Sequence, residues 1–433
     1  HHAGAKQYGE AINFLILAGK KAAARAAQVE ATNHYLTALD HLEHLPEGRA
    51  RDEQEVLLRA LLGAALMATR GFAAPEVYDA FARARALCLS LGDNVMYCSC
   101  LYGLFTVAAS RSDRDEAMAL AREMLDGFGE CPVPSWAIAA HFAMGVAQTF
   151  AGELDNAAGS FDAALALYTP EQHGPLVEQF GDDLAEFSMC YMVWIHTMRG
   201  EIDQSRDLIA KAIEMASELN NKNALTRSTS FQMGRMMEMG LLDEVAKTAP
   251  RVIEISTLQG YPYWACAGRI GLGFTMASGG DEAGLPHIAE SLAFFDMIGQ
   301  RTPQTYWRSY LVAALTALGR PDEAVTAADE ALEMSRSGLD CAFEPNLLWR
   351  RGQALRQIDV AAAEASLREG MAVGAKIGSH YYAFLCALEM AELLIADGRR
   401  DAENGALAAA MARISSSEPI PALTRAAEVL RDL

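Results

Sequence analysis

An all-α solenoid built from helical pairs, with a repeat of about 40 residues, is the fold class this sequence predicts, and three observations predict it. The first is punctuation: Gly152, Gly200, Gly240, Gly279, Gly319 and Gly398 recur at intervals near 40, the last interval spanning two repeats. Glycine at such a corner ends a helix by taking the left-handed conformation that a Cβ opposes. The second is the spacing Gly152-x-Leu154-x-x-Ala157-x-x-x-Phe161-x-x-Ala164, with Gly145 seven residues upstream. Residues three and four apart share a helix face, so the small ones let two helices approach while Phe161 fills the gap between them. The third is composition: Ala, Leu, Met and Glu abound, only 14 of 433 residues are proline, and strand-like runs of β-branched residues are short.

Taken in order, helices are expected at 9–24 and 28–44, the second with Ala31, Tyr35 and Ala38 in register and ending before Pro46. The pair 52–69 and 75–91 turns at Gly71-Phe72-Ala73-Ala74, with Pro75 suited to a first helical position. In the pair 94–110 and 113–127, the acidic cluster at Asp113, Asp115 and Glu116 favours the positive helix start. Helices at 134–151 and 153–168 follow, and then Thr169 to Pro175 reads as an inserted loop over 168–182 that interrupts any helix and lengthens one interval to about 48. Regular pairs resume at 183–199 and 201–219, 222–239 and 241–259, 263–278 and 282–298, 303–318 and 321–337, 345–356 and 360–377, and 380–397 and 400–414. Pro419-Ile420-Pro421 breaks the run, leaving 419–433 as a C-terminal cap on the last apolar face.

A repeat near 40 lies between the tetratricopeptide and HEAT periods, and the internal spacing decides for the former. A small residue late in the first helix, a corner glycine, then small, aromatic and small residues along the second helix are supplied in that order by Gly145, Gly152, Ala157, Phe161 and Ala164. The expectation is therefore one tetratricopeptide-like α-α superhelix over 1–433. Tyr8, Ala11, Leu15 and Ala18 repeat the second-helix spacing, which predicts a truncated N-terminal repeat over 1–50 whose first helix precedes residue 1; His1 and His2 suit either a tag remnant or native sequence.

Ala65-Leu66-Met67-Ala68-Thr69-Arg70-Gly71-Phe72-Ala73-Ala74-Pro75-Glu76-Val77, followed by Ala82-Arg83-Ala84-Arg85-Ala86-Leu87, resembles the C-terminal tetratricopeptide region of bacterial proteins that join a class III adenylate/guanylate cyclase domain to a STAND-type AAA ATPase. Tyr168-Thr169-Pro170-Glu171-Gln172-His173 is similar to the same family. Where that family often reads Gly-x-Asp-Pro-Gly, this chain has Gly181-Asp182-Asp183-Leu184-Ala185. The resemblance implies a regulatory arm of a cytoplasmic signalling ATPase or cyclase, and it transfers no catalytic residue.

A net charge of −20 opposes nucleic acid and anionic lipid, and neither Gly19-Lys20-Lys21 nor Gly398-Arg399-Arg400 is a patch large enough to offset it. The eight cysteines show no Cys-x-x-Cys and read as reduced, buried thiols. No apolar run approaches the ~20 residues of a membrane span. No phosphate loop or nucleophile elbow is present. Gly268-x-x-Gly271-x-Gly273 lacks the order and preceding strand of a dinucleotide fingerprint, and close helix packing accounts for it better. His34, His41 and His44 share a helix face with Glu30 but read as solvated, and Glu178, Asp182, Asp183 and Glu186 read as a solvated helix start. The chain is therefore expected to be no enzyme, with no catalytic, cofactor-binding or metal-binding residue.

What remains is the concave groove that first helices line in such repeats. Register places Phe142, Phe187, Cys190, Trp194, Arg227, Ser230, Arg269, Tyr306 and Ser309 along it. Aromatics interleaved with arginine suit a protein or peptide partner carrying acidic groups, or an upstream domain of the same polypeptide. Alternatives are a core without ligand, a superhelix that encloses a small molecule or an enzymatic pocket, and the arm of a LuxR-type activator.

Overall fold

A computed structural model describes residues 2–25, 27–338, 340–399 and 404–432. His1, Arg400 and the start of the expected helix 400–414 lie outside them. The described helices are α1 (His2–Ala24), α2 (Gln28–Leu42), α3 (Arg49–Arg70), α4 (Pro75–Leu91), α5 (Asn94–Ser110), α6 (Arg114–Phe128), α7 (Pro134–Phe150), α8 (Leu154–Ala166), α9 (His173–Phe180), α10 (Leu184–Arg199) and α11 (Ile202–Glu218). They continue as α12 (Lys222–Glu238), α13 (Leu242–Gln259), α14 (Pro262–Ser278), α15 (Gly284–Met297), α16 (Gln304–Ala317), α17 (Pro321–Ser337), α18 (Glu344–Leu355), α19 (Val360–Ile377), α20 (His380–Ala396), α21 (Asn404–Met411) and α22 (Pro421–Asp432). Among the described residues there is no strand, only an isolated bridge between Glu201 and Ser415.

The helices form where the sequence supplies starts and stops. Asp93, Asp113, Asp183, Asn221 and Asp359 each accept a backbone N–H of the helix they precede, satisfying donors the first turn leaves without partners. The corners at Gly152, Gly200, Gly240, Gly319 and Gly398 all have φ between 69° and 81°. At the sixth corner the left-handed residue is Gly280 (φ 85°) and not Gly279, whose φ is −85°. The first helix there runs one residue longer before it is stopped.

The chain divides into two compact units. The first comprises residues 1–144, 167–181 and 296–301. Its close helix approaches rest on aromatic rings seated against glycine: a Cβ on Gly103 would lie 2.7 Å from the Phe81 ring, and one on Gly63 2.6 Å from the same ring. The segment read as an interrupting loop carries a short 3-10 turn (Pro170–Gln172) and then α9. Pro170 and Pro175 do not break it because each sits in a first turn, where the missing N–H has no helical partner. Leu176 of α9 is fully buried, Phe180 meets the Tyr102 ring edge-on, and the Gln179 side chain accepts from Trp136 Nε1 at 3.0 Å while donating to Ser99 Oγ at 3.1 Å.

The second unit comprises 145–166, 182–295 and 302–433. Phe161 is fully buried, with Gly145 so close that an added Cβ would lie 2.8 Å from its ring, as the motif at 145–164 predicts. Within this unit the first helices of successive pairs, α10, α12, α14, α16, α18 and α20, touch one another in sequence and make its inner wall. That wall curls far enough for α20 to reach α10, and Tyr381 donates its hydroxyl to the Glu238 carbonyl at 3.2 Å. The segment after α21 straps the same edge: Ile202 N donates to Ser415 O at 2.9 Å, Ser415 N to Gly200 O at 2.8 Å, and Arg235 pairs with Glu418.

A candidate ligand pocket on the inner wall

The curl of the second unit decides what its inner side chains can do. Trp194 is ringed by Phe231 (4.6 Å between centroids), Tyr306 (5.1 Å), Phe343 (5.4 Å) and Tyr191 (5.8 Å), and it is buried. Tyr306 and Tyr310 pack edge to face behind it, and Tyr310 donates to Glu238 Oε1 at 2.6 Å. Burial raises the Glu238 pKa, partly offset by the hydroxyls of Tyr310 and Tyr382 and by the charge of Arg350.

Arg227, only 1% exposed, is held by carboxylates one repeat upstream. Its Nε donates to Glu186 Oε2 at 3.0 Å and its Nη1 to Asp182 Oδ2 at 2.7 Å, with the Phe187 ring 4.1 Å from the guanidinium carbon. Ser228 and Cys190 donate to the other oxygen of Glu186. Burial works against the Arg227 charge, but Asp182 and Glu186 more than offset it and hold its pKa well above the ordinary value. The carboxylates read as a solvated helix start are thus corrected: Asp183 caps α10 yet is buried, and Glu186 is fully buried and committed to Arg227.

Of the nine residues assigned to an open groove, Cys190, Trp194, Arg227, Ser230, Tyr306 and Ser309 are buried in the second unit, and Phe142 is buried in the first, near Tyr102. Phe187 and Arg269 are half-buried. Trp194 and Arg227 do not face an open groove, because the wall curls until α20 reaches α10 and both side chains become core. Gly268, Gly271 and Gly273 face Ile253, Met233 and Ile288 on neighbouring helices, which is close packing. In the first unit, His41 and His44 flank the Tyr8 ring while His34 faces Glu30, and among the described residues no group of three His, Cys, Asp or Glu side chains is placed to hold a metal ion. The eight cysteines are free thiols, six of them buried. No described helix is long and apolar enough to cross a membrane.

Farther along the same wall an opening remains. A pocket of about 540 Å³ is lined by Phe274 and Ser278 of α14, Ala313, Thr316 and Ala317 of α16, Arg350 and Gln353 of α18 with the adjoining Arg356 and Gln357, Glu389 of α20 and Arg425 of α22. At its rim the charges pair: Arg356 Nη1 donates to Glu389 at 2.7 Å and to Glu392 at 3.3 Å, and Arg425 grips Glu392 with contacts of 2.6–2.9 Å. Arg350 differs. It is 9% exposed, stacks 3.8 Å from Trp349 and donates Nη1 to Gln353 Oε1 at 3.2 Å; among the described residues it forms no salt bridge, and its buried Nε has no hydrogen-bond partner. Burial lowers its pKa below the ordinary value, only partly offset by Tyr310, Glu238 and the neighbouring tyrosines. Since a guanidinium stays protonated, this shift expresses the cost of holding a poorly compensated cation. Arg350 is absent from the groove residues read from the sequence; its place at a first-helix position was the available signal.

No family model and no curated protein sequence matches this chain. Among solved structures, that of "Rap Protein Complexed with Competence and Sporulation Factor" is similar over 88% of this chain and 99% of its own, with TM-score 0.59 and 11% identity. Yeast Tom70 aligns over 98% and 96% at TM-score 0.36 and 11% identity, too loosely to argue from. The first likeness carries the fold and nothing finer: the chain is an all-α tetratricopeptide-like solenoid.

Proposed function

We propose that this chain is a non-catalytic protein-interaction module that receives an extended peptide segment of a partner, or of an upstream domain of its own polypeptide, at the inner wall of the second unit. The pocket spanning α14, α16, α18 and α20 carries this reading, since consecutive first helices offer an extended chain a continuous row of side chains. The likeness to a Rap protein solved with competence and sporulation factor supports it at the level of fold. In the fuller form of the proposal, the solenoid is the signal-sensing arm of a cytoplasmic bacterial ATPase or cyclase regulator, the setting implied by the segments at 65–87 and 168–173. The regulator's ATPase and cyclase chemistry would reside in upstream domains. The test is selection of a displayed random peptide library on the purified chain, with Ala317→Trp as a pocket-filling variant at an exposed position. Enriched peptides should lose at least about tenfold in affinity on Ala317→Trp with the circular dichroism spectrum unchanged. Equal binding to both proteins, or no enrichment, would overturn the reading.

A further inference from the structure

We propose that Arg350 is the specificity-determining cation of this pocket and that it takes a carboxylate of the bound peptide, from an acidic side chain or a free C-terminus. The assignment rests on the peptide-binding reading above and adds the chemistry of the ligand. Three observations carry it. Arg356 and Arg425 are satisfied by Glu389 and Glu392, so among the three arginines of the pocket Arg350 alone makes no salt bridge with the described residues. Its Nη1 is engaged by Gln353, which in turn donates Nε2 to Glu389 Oε2 at 3.0 Å; the guanidinium is therefore held on one side, while its buried Nε has no hydrogen-bond partner. A carboxylate that reaches Nε and the neighbouring Nη2 meets a guanidinium through two parallel hydrogen bonds. Finally, Trp349 at 3.8 Å and Phe274 at 6.0 Å lie against the guanidinium and help fix its plane.

The buried Arg227 shows what a compensated cation looks like in this unit, with two carboxylates and an aromatic face around it. Arg350 has the aromatic face, Glu238 offsets only part of its burial cost, and among the described residues no carboxylate is in salt-bridge contact with it. A ligand that supplies one converts a buried cost into a charge-assisted contact, which is differential affinity for acidic over neutral peptides.

The test uses three fluorescein-labelled octapeptide pools, randomised except at one central position: Glu with an amidated C-terminus, Gln with an amidated C-terminus, and Gln with a free C-terminal carboxylate. Anisotropy titrations with the full chain should show the Glu pool or the free-acid pool binding at least about tenfold tighter than the neutral pool, and whichever arm does so identifies the source of the carboxylate. In Arg350→Met that preference should vanish while affinity for the neutral pool is retained. Ala317→Glu, which brings a carboxylate of the chain's own to the rim, should selectively weaken the acidic pool and carries the test if Arg350→Met does not fold. Equal binding of all pools to the natural chain, a preference that survives Arg350→Met, or indifference to Ala317→Glu would each overturn the assignment while leaving the peptide-binding reading standing. If no pool binds the natural chain, that reading falls and this one with it.

Discussion

Arg227 Nη1 lies 2.7 Å from Asp182 Oδ2, and the two residues stand one repeat apart on either side of a helix-helix contact. With Glu186 at the Nε–Nη2 edge of the guanidinium, the pair locks α12 to the start of α10. Removing one partner of such a buried network leaves the others uncompensated. Arg227→Met should therefore destabilise the chain by roughly 3–5 kcal/mol in denaturant unfolding. A change under about 1 kcal/mol would mean that the network is not a structural element.

Gly145 and Phe161 test the repeat itself. Gly145→Ala should cost about 1–3 kcal/mol because the new methyl meets the ring of a fully buried phenylalanine. Phe161→Leu opens space, so a double-mutant cycle should show the alanine costing less in that background. Additive costs would place the two residues in separate environments.

The strap after α21 gives a local prediction. Glu418→Gln removes the charge that Arg235 holds, loosening the segment whose backbone bonds Gly200 and Ile202. Amide exchange at Ile202 and Ser415 should quicken about tenfold, equivalent to ~1.4 kcal/mol, with the α10 core unaffected. Unchanged exchange at both amides would show that the strap does not depend on Glu418.

Asp340 supplies a pH dependence. Its carboxylate accepts from the Thr305 N–H at 3.2 Å and from the Thr305 hydroxyl, and burial pushes its pKa up to about 7. The unfolded chain releases this proton near pH 4, so between about pH 4 and 7 the native state binds more protons than the unfolded one. Its contribution to stability therefore falls as pH rises through that window, by at most about 1.4 kcal/mol per unit, and levels off above it. Asp340→Asn should flatten this part of the stability profile, as followed by urea unfolding at pH 5 and 7; an unchanged slope would assign the dependence elsewhere, for instance to Glu186 or Glu238, whose pKa values burial also raises.

The repeat was readable because it is local. Corner glycines and the Gly145, Ala157, Phe161, Ala164 spacing act within one helical pair, where neighbours in sequence are neighbours in space. Burial of the inner wall is set by contacts of another range: Tyr381 reaching Glu238, and Trp194 packing on Phe343. Periodicity along a single pair does not contain those distances. The Arg227 network lay between, since Glu186 and Arg227 differ by one repeat at inward positions and carry opposite charge, a signal visible once charges are compared across repeats. The helix over 173–180 was hidden by two prolines that occupy first-turn positions.

Whether Arg350 is a buried cation held for a ligand is measured most directly by equilibrium unfolding of Arg350→Met in the absence of any peptide. Methionine keeps much of the apolar stem and removes a charge that, among the described residues, no salt bridge compensates. The predicted result is a stability within about 1 kcal/mol of the natural chain, or higher, in contrast to Arg227→Met. A loss of roughly 3–5 kcal/mol, the cost of breaking a compensated buried pair, would contradict the claim and make Arg350 part of the core.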